Sequence, residues 1–462
     1  MKYLPLDRIV KVIDGLIINN QNSNPIIKNV VLGDSKTIKN STLVFFPKKS
    51  ILENYRDVKF CAIVTQKPEL YNDFAQSFTI IKVKSSKKSF EKFIKFYRNL
   101  FELPVVGITG TCGKTTTKEM VASILKADMN LVKTVASKNK RKRNLSYLMK
   151  INKKTDVAVI EVGVGNPGGI ANFDKFFKPS IGVITNIGVD HGLGFKTHQA
   201  YINEKAKMVQ IINKNKGTII LNIDDENIKK IDLRKFEGRI IYFGLSQSAH
   251  FKASNIHYDE NGMKFSLHYD NEVFECKIKC FGTHNVYNAL AALAISTTLG
   301  VPIIDAIQRL GNFTPLNRHL QIKTGINQCT LIDDTWNTNS KSIEAALEAL
   351  VNLSKGKKTI AVLGDIEELG ELSESEHKKI GSFIHKYIID QLVTIGTESK
   401  IIAQQAIELG MNQHNIYMIN KKEDLINVLS KTADENTIVL IKGSMRNSFK
   451  YILQKLIFPK LQ

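Results

Sequence analysis

The chain has 462 residues, 43% of them hydrophobic and 24% charged, and it carries a net charge of +21 at pH 7. These proportions are ordinary for a soluble globular protein, and the length allows two to four domains with cores of their own. The most apolar stretch, residues 289–304, is interrupted by polar residues and a glycine, so the sequence predicts no membrane span.

The excess of positive charge has two interpretations: nucleic-acid binding, or a lysine-rich background in a protein whose small-molecule substrates are anionic. Lysines are spread over the whole chain, with one dense run at 138–143. No basic strand carries the interleaved aromatic residues that stack nucleobases. We therefore favour anionic small-molecule substrates, and we expect a monomer with no nucleic-acid partner.

The cysteines and the N-terminus bear on the cellular compartment. Five cysteines are scattered, and the one close pair, Cys276 and Cys280, has no second pair with which to bind zinc. Free thiols fit a reducing compartment. The N-terminus carries Asp7 and Asp14 and no sustained apolar run. We therefore expect no signal peptide and a cytoplasmic protein.

The first 103 residues are predicted to form a small α/β domain. Strand-like segments are followed by an amphipathic helix at 89–103. A helix usually ends at or before the residue that precedes a proline, so Pro104 marks a domain boundary. The predicted strands are 30–32, 43–46 and 62–65.

Residues 105–117 predict a phosphate-binding loop. A β-branched apolar run leads into two glycines three residues apart and then into an amphipathic helical pattern. In such a unit the loop amides and the helix dipole attract an anion, Lys114 neutralises its charge, and Thr115 can hold Mg²⁺. The Walker spacing is missed by one residue, because Ile108 stands where the first glycine should be. The alternative is a glycine turn before an ordinary helix, which Gly-Lys-Thr-Thr after a strand disfavours.

Strands alternate with helices through the rest of the chain. Residues 104–314 are predicted to form a mostly parallel sheet with helices on both faces and ligands at its C-terminal edge, and residues 315–462 a second doubly wound sheet. The whole chain is therefore predicted to be an α/β protein of three domains. An alanine-rich helix at 285–299 is expected to be close-packed or near a ligand. The predicted strands are 157–162, 181–185, 218–221, 240–243, 330–332, 359–363, 392–395 and 437–441.

Polar residues follow two strands of the central region. Glu161 ends a buried strand and is placed to ligate Mg²⁺, although a solvated acid at a strand end would give the same pattern. His191 follows a strand and an Asn-Ile-Gly turn, which favours a ligand over the structural or surface role of most histidines. The charges at 204–207 lie on a predicted helix and on composition alone would be solvated.

Three segments of the central region occur in a fixed order and are followed by a lysine: Thr109-Gly-Thr-Cys-Gly-Lys-Thr-Thr-Thr117, Ile160-Glu-Val-Gly163 and Thr185-Asn-Ile-Gly-Val-Asp-His191. In this order they resemble the central domain of the Mur ligase superfamily. Further segments match down to about residue 455: Gly282-Thr-His-Asn-Val-Tyr-Asn288, Phe313-Thr-Pro-Leu-Asn-Arg318, Asp333-Asp-Thr-Trp-Asn-Thr-Asn339, Gly364-Asp-Ile-Glu-Glu-Leu-Gly370, and Lys442-Gly-Ser444 with Arg446. These resemble the MurF type, which adds D-alanyl-D-alanine to a UDP-muramoyl tripeptide.

The resemblance implies ATP as the nucleotide and assigns residues to it. Asn288 would contact the adenine, Arg318 the γ-phosphate, and Asp334 with Trp336 the ribose region. The residues implied at the phosphates are Thr109, Gly110, Thr111, Cys112, Gly113, Lys114, Thr115 and Thr116.

The resemblance also implies two magnesium ions. Thr115 and Glu161 would bind the first, and His191 would ligate the second. A lysine carbamylated by CO₂ would help to hold the second ion, with Lys205 as the best match and Lys207 as the alternative. The implied catalytic residues are Lys114, Glu161, His191, Lys205 and Arg318.

The implied reaction is ATP-dependent formation of an amide. A carboxylate is a poor electrophile at neutral pH, so the γ-phosphoryl group is transferred to it and an acyl phosphate forms. An amine attacks this intermediate, and the tetrahedral oxyanion collapses to an amide with loss of phosphate. Positioning and neutralisation of the developing charge supply the catalysis.

The departures from the MurF pattern lie mainly on the acceptor side. The region at 48–56 lacks the glycine and histidine of the family, so the domain at 1–103 is interpreted as a diverged acceptor domain. The basic run 138–143 replaces an Asn-rich loop, and Cys112 replaces a phosphate-loop asparagine. The basic run is either a solvated loop or a site for a strongly anionic acceptor.

Three hypotheses follow. The first is a MurF-like ligase of peptidoglycan synthesis. The second is a MurF paralogue that acts on another acid, such as a poly-amino acid or a specialised peptide. The third, from a different class, is a nucleotide-binding regulator or scaffold without turnover. A second metal site argues against the third hypothesis, because binding alone does not need one.

Overall fold

A computed structural model describes residues 1–19, 24–188, 194–195, 197–421, 423–444 and 449–457. Within these ranges the strands form four sheets flanked by helices. The strands are β1 (Leu4–Pro5), β2 (Leu16–Asn19), β3 (Ile26–Ile27), β4 (Asn29–Leu32), β5 (Thr42–Phe45), β6 (Cys61–Thr65), β7 (Phe78–Lys82), β8 (Val105–Thr109), β9 (Leu131–Lys133), β10 (Val157–Glu161), β11 (Ile181–Ile184), β12 (Thr218–Asn222), β13 (Arg239–Gly244), β14 (Phe251–Asp259), β15 (Gly262–Tyr269), β16 (Glu272–Ile278), β17 (Gln321–Thr324), β18 (Thr330–Asp334), β19 (Lys358–Gly364), β20 (Gln391–Ile395), β21 (Ile416–Ile419) and β22 (Thr437–Lys442).

The α-helices lie between these strands, and none in the described ranges is both long enough and apolar enough to cross a membrane. They are α1 (Leu6–Val12), α2 (Lys49–Leu52), α3 (Ser86–Arg98), α4 (Lys114–Leu125), α5 (Asn144–Leu148), α6 (Gly169–Phe177), α7 (His198–Lys214), α8 (Glu226–Lys229), α9 (Thr283–Thr298), α10 (Ile303–Gly311), α11 (Ser340–Ser354), α12 (Ser373–Lys386), α13 (Lys400–Glu408), α14 (Asp424–Thr432) and α15 (Lys450–Leu456).

The N-terminal sheet has the order β2-β7-β6-β5-β4, parallel except for the pair β2–β7. Its three predicted strands are present, and β5 and β6 are buried along their whole length. The predicted helix at 89–103 was wrong at both ends. Helix α3 begins after Ser85, whose side chain accepts a hydrogen bond from the backbone N–H of Lys88. It ends at Arg98, whose guanidinium group donates to the carbonyls of Phe101 and Leu103 and so holds the chain in a turn.

The central sheet has the order β16-β15-β14-β13-β12-β11-β8-β10-β9. The run from β14 to β9 is parallel, which confirms the predicted mostly parallel sheet. The sequence prediction missed the antiparallel extension from β14 to β16. Glu260-Asn261 and Asp270-Asn271 form its two hairpin turns, with Gly262 directly after the first. Asn, Asp and Gly between alternating segments would have been a usable signal.

Helices cover both faces of the central sheet, as predicted. On one face α4 and α9 share a core with the sheet that includes Met120 and Ala289. On the other face α6 and α7 contribute Phe173 and Met208. The first strand, β8, lies between β10 and β11, and the chain reverses its direction of progress across the sheet at this point. The carboxyl ends of these three strands therefore meet at a topological switch point, where ligands of open α/β sheets bind.

The C-terminal sheet has the order β17-β18-β22-β19-β20-β21, and only β17 is antiparallel to its neighbour. Helices α11, α12 and α13 cover one face, and α14 with α15 covers the other. The segment that follows β18 runs to the start of α11 and brings Asn339 to Cys112 of the central region. The C-terminal sheet thus presents the carboxyl end of β18 to the switch point of the central sheet.

Candidate active site

The loop between β8 and α4 has the form of a phosphate site. Gly110 has a φ of +149°, and a Cβ atom there would lie 1.9 Å from Thr185 Oγ1. Gly113 has a φ of +79°, and its Cβ would lie 2.2 Å from Asn288 Oδ1. Only glycine tolerates both the left-handed backbone and these close approaches. The two glycines therefore allow the loop to turn tightly into helix α4.

Asn186, which follows the neighbouring strand β11, holds the phosphate loop between β8 and α4 in place. The backbone N–H of Thr111 donates to the carbonyl of Asn186 at 2.9 Å, and that of Cys112 donates to Asn186 Oδ1 at 2.9 Å. The Lys114 ammonium donates to the carbonyls of Gly110 and Thr111 at 2.8 and 2.7 Å. A positive charge is thus held directly over the loop at the N-terminus of α4, where an anion is most stabilised.

The predicted phosphate residues do not all face the same space. Residues 110–116 line a cavity of about 1200 Å³ between the central and C-terminal sheets. Thr109 does not line it, because its side chain is fully buried beneath the loop and donates to the carbonyl of Val162. Ligand sites typically measure about 300–1000 Å³, so this cavity has room for a nucleotide and a second substrate.

Glu161 lies at the end of β10 with its carboxylate beside the start of α4. Thr115 Oγ1 donates to Glu161 Oε2 at 3.0 Å, and Asn139 Nδ2 donates to Oε1 at 2.7 Å. The carboxylate is buried. A hydroxyl and a carboxylate together provide the oxygen donors that Mg²⁺ prefers, with room for phosphate oxygens from the loop side. The donor set of Thr115 and Glu161 therefore fits a magnesium ion.

Lys205 points into the site and Lys207 does not. The Lys205 ammonium donates to the carbonyl of Gly110 at 2.9 Å and lies 4.4 Å from the centre of the Tyr201 ring. Lys207 is partly exposed and pairs with Glu204 at 2.7 Å, on a side that does not line the cavity. Burial alone would raise the pKa of Glu204, but hydrogen bonds from Lys207 and from backbone amides outweigh it and lower that pKa. His191 and Arg446 lie outside the described residues.

The residues assigned to the base and ribose come from helix α9 of the central region and from the end of β18 in the C-terminal region. Asn288 on α9 lines the cavity, and its Nδ2 donates to Asn285 Oδ1 at 3.0 Å. Asp334, at the end of β18, lines it too and pairs with Lys442 at 2.8 Å. Trp336 follows in the next loop and its ring centre lies 5.5 Å from that of His319. The structure thus places all three predicted residues in the lining of the cavity.

The guanidinium group of Arg318 contacts Thr335 and does not face the cavity in which the γ-phosphate is expected. Its Nε donates to Thr335 Oγ1 at 2.8 Å and its Nη2 to the Thr335 carbonyl at 2.6 Å. Arg318 does not line the cavity, and its φ is +64°. In this arrangement its guanidinium group fixes the loop after β18.

The basic run 138–143 lies at the rim of the cavity. Lys140 and Arg141 line it, and the basic side chains of the run are exposed. Arg141 Nη2 donates to the carbonyls of Asn166 and Pro167 at 2.5 Å each, which attaches the run to the loop after β10. The run therefore lies next to the end of the cavity that holds Glu161.

The sequence analysis did not single out two residues that shape the site. Asn139 lies within the basic run and contacts Glu161. The run was interpreted by its charged residues, so its one amide side chain was not considered. Tyr201 supports Lys205 and also contacts Thr111, with 3.1 Å between its hydroxyl and Thr111 Oγ1. Tyr201 precedes Lys205 by four residues on α7, so the one-turn spacing of a helix could have indicated this pair.

Comparisons with known proteins agree with this geometry. Residues 108–296 match the family described as "Mur ligase middle domain", and residues 318–445 match "Mur ligase, glutamate ligase domain". The UDP-N-acetylmuramoyl-tripeptide–D-alanyl-D-alanine ligase of Buchnera aphidicola subsp. Baizongia pistaciae is 32% identical over 367 residues, which cover 79% of this chain and 78% of that one. The ligase of the same name from Bacillus subtilis is 25% identical over 83% of this chain and 82% of its own.

Solved structures share the fold. MurF from Acinetobacter baumannii superposes with a TM-score of 0.84 at 22% identity and covers 98% of both chains. MurF from Thermotoga maritima in complex with ADP has a TM-score of 0.77 at 22% identity, over 92% of this chain and 96% of that one. The chain therefore belongs to the Mur ligase family and is, like its relatives on the MurF branch, an ATP-dependent ligase.

Proposed function

We propose that this enzyme joins a dipeptide, D-alanyl-D-alanine in the named relatives, to an acceptor carboxylate such as that of a UDP-muramoyl tripeptide. The names of the relatives support the substrates. The observation that supports the mechanism is the hydrogen bond of 3.0 Å from Thr115 to the buried carboxylate of Glu161. Thr115 directly follows Lys114 of the phosphate loop. Together these residues provide a cationic phosphate cradle with a metal ligand at its edge.

In the proposed reaction the γ-phosphoryl group of ATP passes to the acceptor carboxylate. Lys114 and the loop amides orient the phosphates and neutralise their charge. Thr115 and Glu161 would hold Mg²⁺, which supplies further charge neutralisation on the transferring group. The amine then attacks the acyl phosphate, phosphate leaves, and the amine loses a proton as the amide forms.

We propose a second magnesium site at Lys205 and His191. The position of Lys205 against the phosphate loop supports it over Lys207. An ammonium cannot ligate a cation, so Lys205 would need to be carbamylated to serve. At the other end of the nucleotide we propose Asn288 at the adenine and Asp334 with Trp336 at the ribose. Arg318 would reach the γ-phosphate only if its contacts with Thr335 were exchanged.

We propose that the chain has three domains. Residues 1–103 bind the acceptor, residues 104–314 bind ATP, and residues 315–462 form the C-terminal ligase domain, which closes the site over the acceptor and ATP. The strands of the N-terminal, central and C-terminal sheets fall within these ranges, which supports the division. We also propose that the enzyme is a cytoplasmic monomer.

The acceptor is proposed to be strongly anionic because two exposed cations of the run 138–143, Lys140 and Arg141, line the cavity that also holds Glu161. This favours either the UDP-muramoyl tripeptide or another polyanionic acid. Lys140→Glu is expected to raise the acceptor KM about tenfold and to leave the ATP KM within twofold. An equal rise in both KM values would assign the run to the nucleotide instead.

The test of the proposed function is ADP release with Mg²⁺ and ATP. UDP-muramoyl tripeptide with D-alanyl-D-alanine is compared with a panel of other acids and amines, each also tested alone. Stimulation that requires both muramoyl substrates supports the proposal. Stimulation by another pair identifies a paralogue with a different acid. Normal ATP binding without ADP release for any pair identifies a nucleotide-binding protein without turnover.

A further inference from the structure

One buried cation beside the site has no part in the proposed reaction. Lys118 lies one turn after Thr115 on α4, and its side chain is completely buried. Its ammonium lies 3.7 Å from Glu161 Oε2. Among the described residues, Lys118 is the only cation within 4 Å of that carboxylate. Burying an ammonium group is costly unless its charge is balanced and its protons are hydrogen-bonded, so this position calls for a reason.

The three protons of the Lys118 ammonium have defined partners. It donates to the carbonyl of Thr134 at 2.7 Å and to that of Ala136 at 2.5 Å. Its third partner is Glu119 Oε1, at 2.9 Å. Two of the three protons thus hold the backbone where β9 leads into the basic run.

The backbone held in this way is strained at one residue. Ala136 has a φ of +45°, a left-handed conformation that costs a residue with a Cβ roughly 1 kcal/mol. The carbonyl of Ala136 lies three residues before Asn139, whose amide donates to Glu161 Oε1 at 2.7 Å. Lys118 therefore acts on Glu161 from two sides, directly through charge and indirectly through the loop that carries Asn139.

We propose that Lys118 is a positioning residue that couples the magnesium-binding carboxylate Glu161 to the loop 135–143. The ammonium balances the charge of Glu161 and orients Oε2 toward Thr115, and it fixes the start of the loop so that Asn139 reaches Oε1. Occupation of the metal site and the position of the acceptor loop then depend on the same buried charge. This inference rests on the proposed function, because it concerns the proposed metal and acceptor sites.

Lys133 provides a matched control. It pairs with the other oxygen of Glu119, so Lys118 and Lys133 share one carboxylate. Lys133 is partly exposed and has no contact with Glu161 or with the carbonyl of Ala136 among its described interactions. If Lys118 served only to neutralise Glu119, removal of either lysine would have the same effect on the site.

The experiment measures Mg²⁺-dependent binding of a non-hydrolysable ATP analogue by calorimetry, which needs no turnover. Lys118→Met keeps the length and apolar character of the stem and removes the charge. It is expected to raise the Mg²⁺ concentration for half-saturation about 10- to 100-fold, the usual effect of losing a residue that orients a metal ligand. Binding without Mg²⁺ is expected to stay within twofold. Lys118→Arg should recover part of the loss, and Lys133→Met should match the native protein.

Kinetics of ADP release test the coupling to the loop. Lys118→Met is expected to raise the acceptor KM as well as the Mg²⁺ requirement, while Lys133→Met changes neither. Circular dichroism and thermal unfolding establish that the variants are folded. If Lys118→Met does not fold, Asn139→Leu takes its place, because it removes the hydrogen bond by which the loop reaches Glu161 Oε1. It should raise both quantities several-fold.

Three results would overturn the inference: an unchanged Mg²⁺ requirement in folded Lys118→Met, equal shifts in Lys118→Met and Lys133→Met, or an unaffected Asn139→Leu. Failure of the proposed function would look different. In that case the native protein itself would bind the ATP analogue without any dependence on Mg²⁺, or would not bind it at all.

Discussion

Asn339 donates a hydrogen bond from Nδ2 to the sulfur of Cys112 at 3.1 Å and so joins the C-terminal region to the phosphate loop. Asn339 also caps helix α11, since its Oδ1 accepts from the backbone N–H of Ser342 at 2.9 Å. One amide side chain thus fixes the start of a helix and contacts the phosphate loop. Cys112 therefore lies where the nucleotide phosphates and the C-terminal region are expected to meet.

This position makes Cys112 a selective target for alkylation. It is partly accessible, whereas the other four cysteines are buried. Burial raises the pKa of Cys276 and Cys280 to about 12, which keeps these thiols protonated and unreactive. Iodoacetamide is expected to modify one thiol rapidly and to abolish ADP release, and ATP should slow both changes. Peptide mass mapping identifies the modified residue.

The Cys112→Ala variant is the control for this prediction. Iodoacetamide should not lower the rate of ADP release by this variant, whatever that rate is before treatment. Continued inactivation of Cys112→Ala would place the sensitive thiol elsewhere.

Lys205 and Lys207 on α7 are expected to differ in function. Lys205→Ala removes the side chain that contacts the Gly110 carbonyl and that is proposed, once carbamylated, to hold the second magnesium ion. It should lower kcat by about 10²–10³, the effect of losing a preorganised electrostatic group. Lys207→Ala removes the partly exposed partner of the buried Glu204, which keeps a hydrogen bond from the Ile170 N–H, and should cost about 1–3 kcal/mol of stability with kcat within threefold. Steady-state ADP release and urea unfolding measure the two effects.

Detection of a lysine carbamate tests the roles of Lys205 and Lys207 independently of kinetics. With ¹³C-labelled CO₂, a carbamate signal in the NMR spectrum should be present in the native protein and in Lys207→Ala, and absent in Lys205→Ala. A signal that survives in Lys205→Ala and disappears in Lys207→Ala would reverse the assignment.

Tyr97 is expected to make stability depend on pH in the alkaline range. Its hydroxyl donates to the Ile151 carbonyl at 2.8 Å and accepts from the Lys2 N–H at 2.7 Å, and burial raises its pKa from 10.0 to about 12. Because the folded-state pKa is the higher one, the contribution is complete below pH 10 and is lost as the pH rises toward 12. Urea unfolding at several pH values from 9 to 11 should show the free energy of unfolding falling above pH 10.

The matched variant is Tyr97→Phe, which keeps the ring. It should lose about 1–2 kcal/mol at pH 7 through the missing hydrogen bonds and show a shallower decline above pH 10. An unchanged slope would mean that other groups, such as the buried thiols, account for the pH dependence.

An ion pair between the central and C-terminal regions is expected to stabilise the arrangement in which both regions line the cavity. Lys341 on α11 lies 3.1 Å from the carboxylate of Asp225, which is buried and caps α8. Lys341→Met should raise the ATP KM a few-fold and change stability by less than about 1 kcal/mol, since the lysine is half exposed.

Ionic strength and a second lysine provide the controls for this pair. The KM difference between native enzyme and Lys341→Met should shrink at high salt, because exposed ion pairs are screened. Lys378→Met removes an exposed pair within α12 and should leave the ATP KM unchanged. An equal effect of both variants would exclude a specific role for the pair with Asp225.

The sequence predicted the elements whose conformation is decided locally. The strand β8, the glycines at 110 and 113 and the start of α4 follow from side-chain periodicity and from positions that only glycine can occupy. The parallel sheet followed from alternating strands and helices. Glu161 could be placed because carboxyl ends of adjacent parallel strands lie at one edge of a sheet. His191 stays a prediction.

Tertiary structure alone decided the contacts between distant parts of the chain. No local pattern brings Asn139 to Glu161, Asn339 to Cys112 or the Lys118 ammonium to the carbonyl of Ala136. Nor could sequence show that Lys205 faces the loop while Lys207 faces away, or that Arg318 holds Thr335. Periodicity and propensity fix the conformation of single segments, whereas these contacts depend on the order of strands in a sheet and on the packing of one sheet against another.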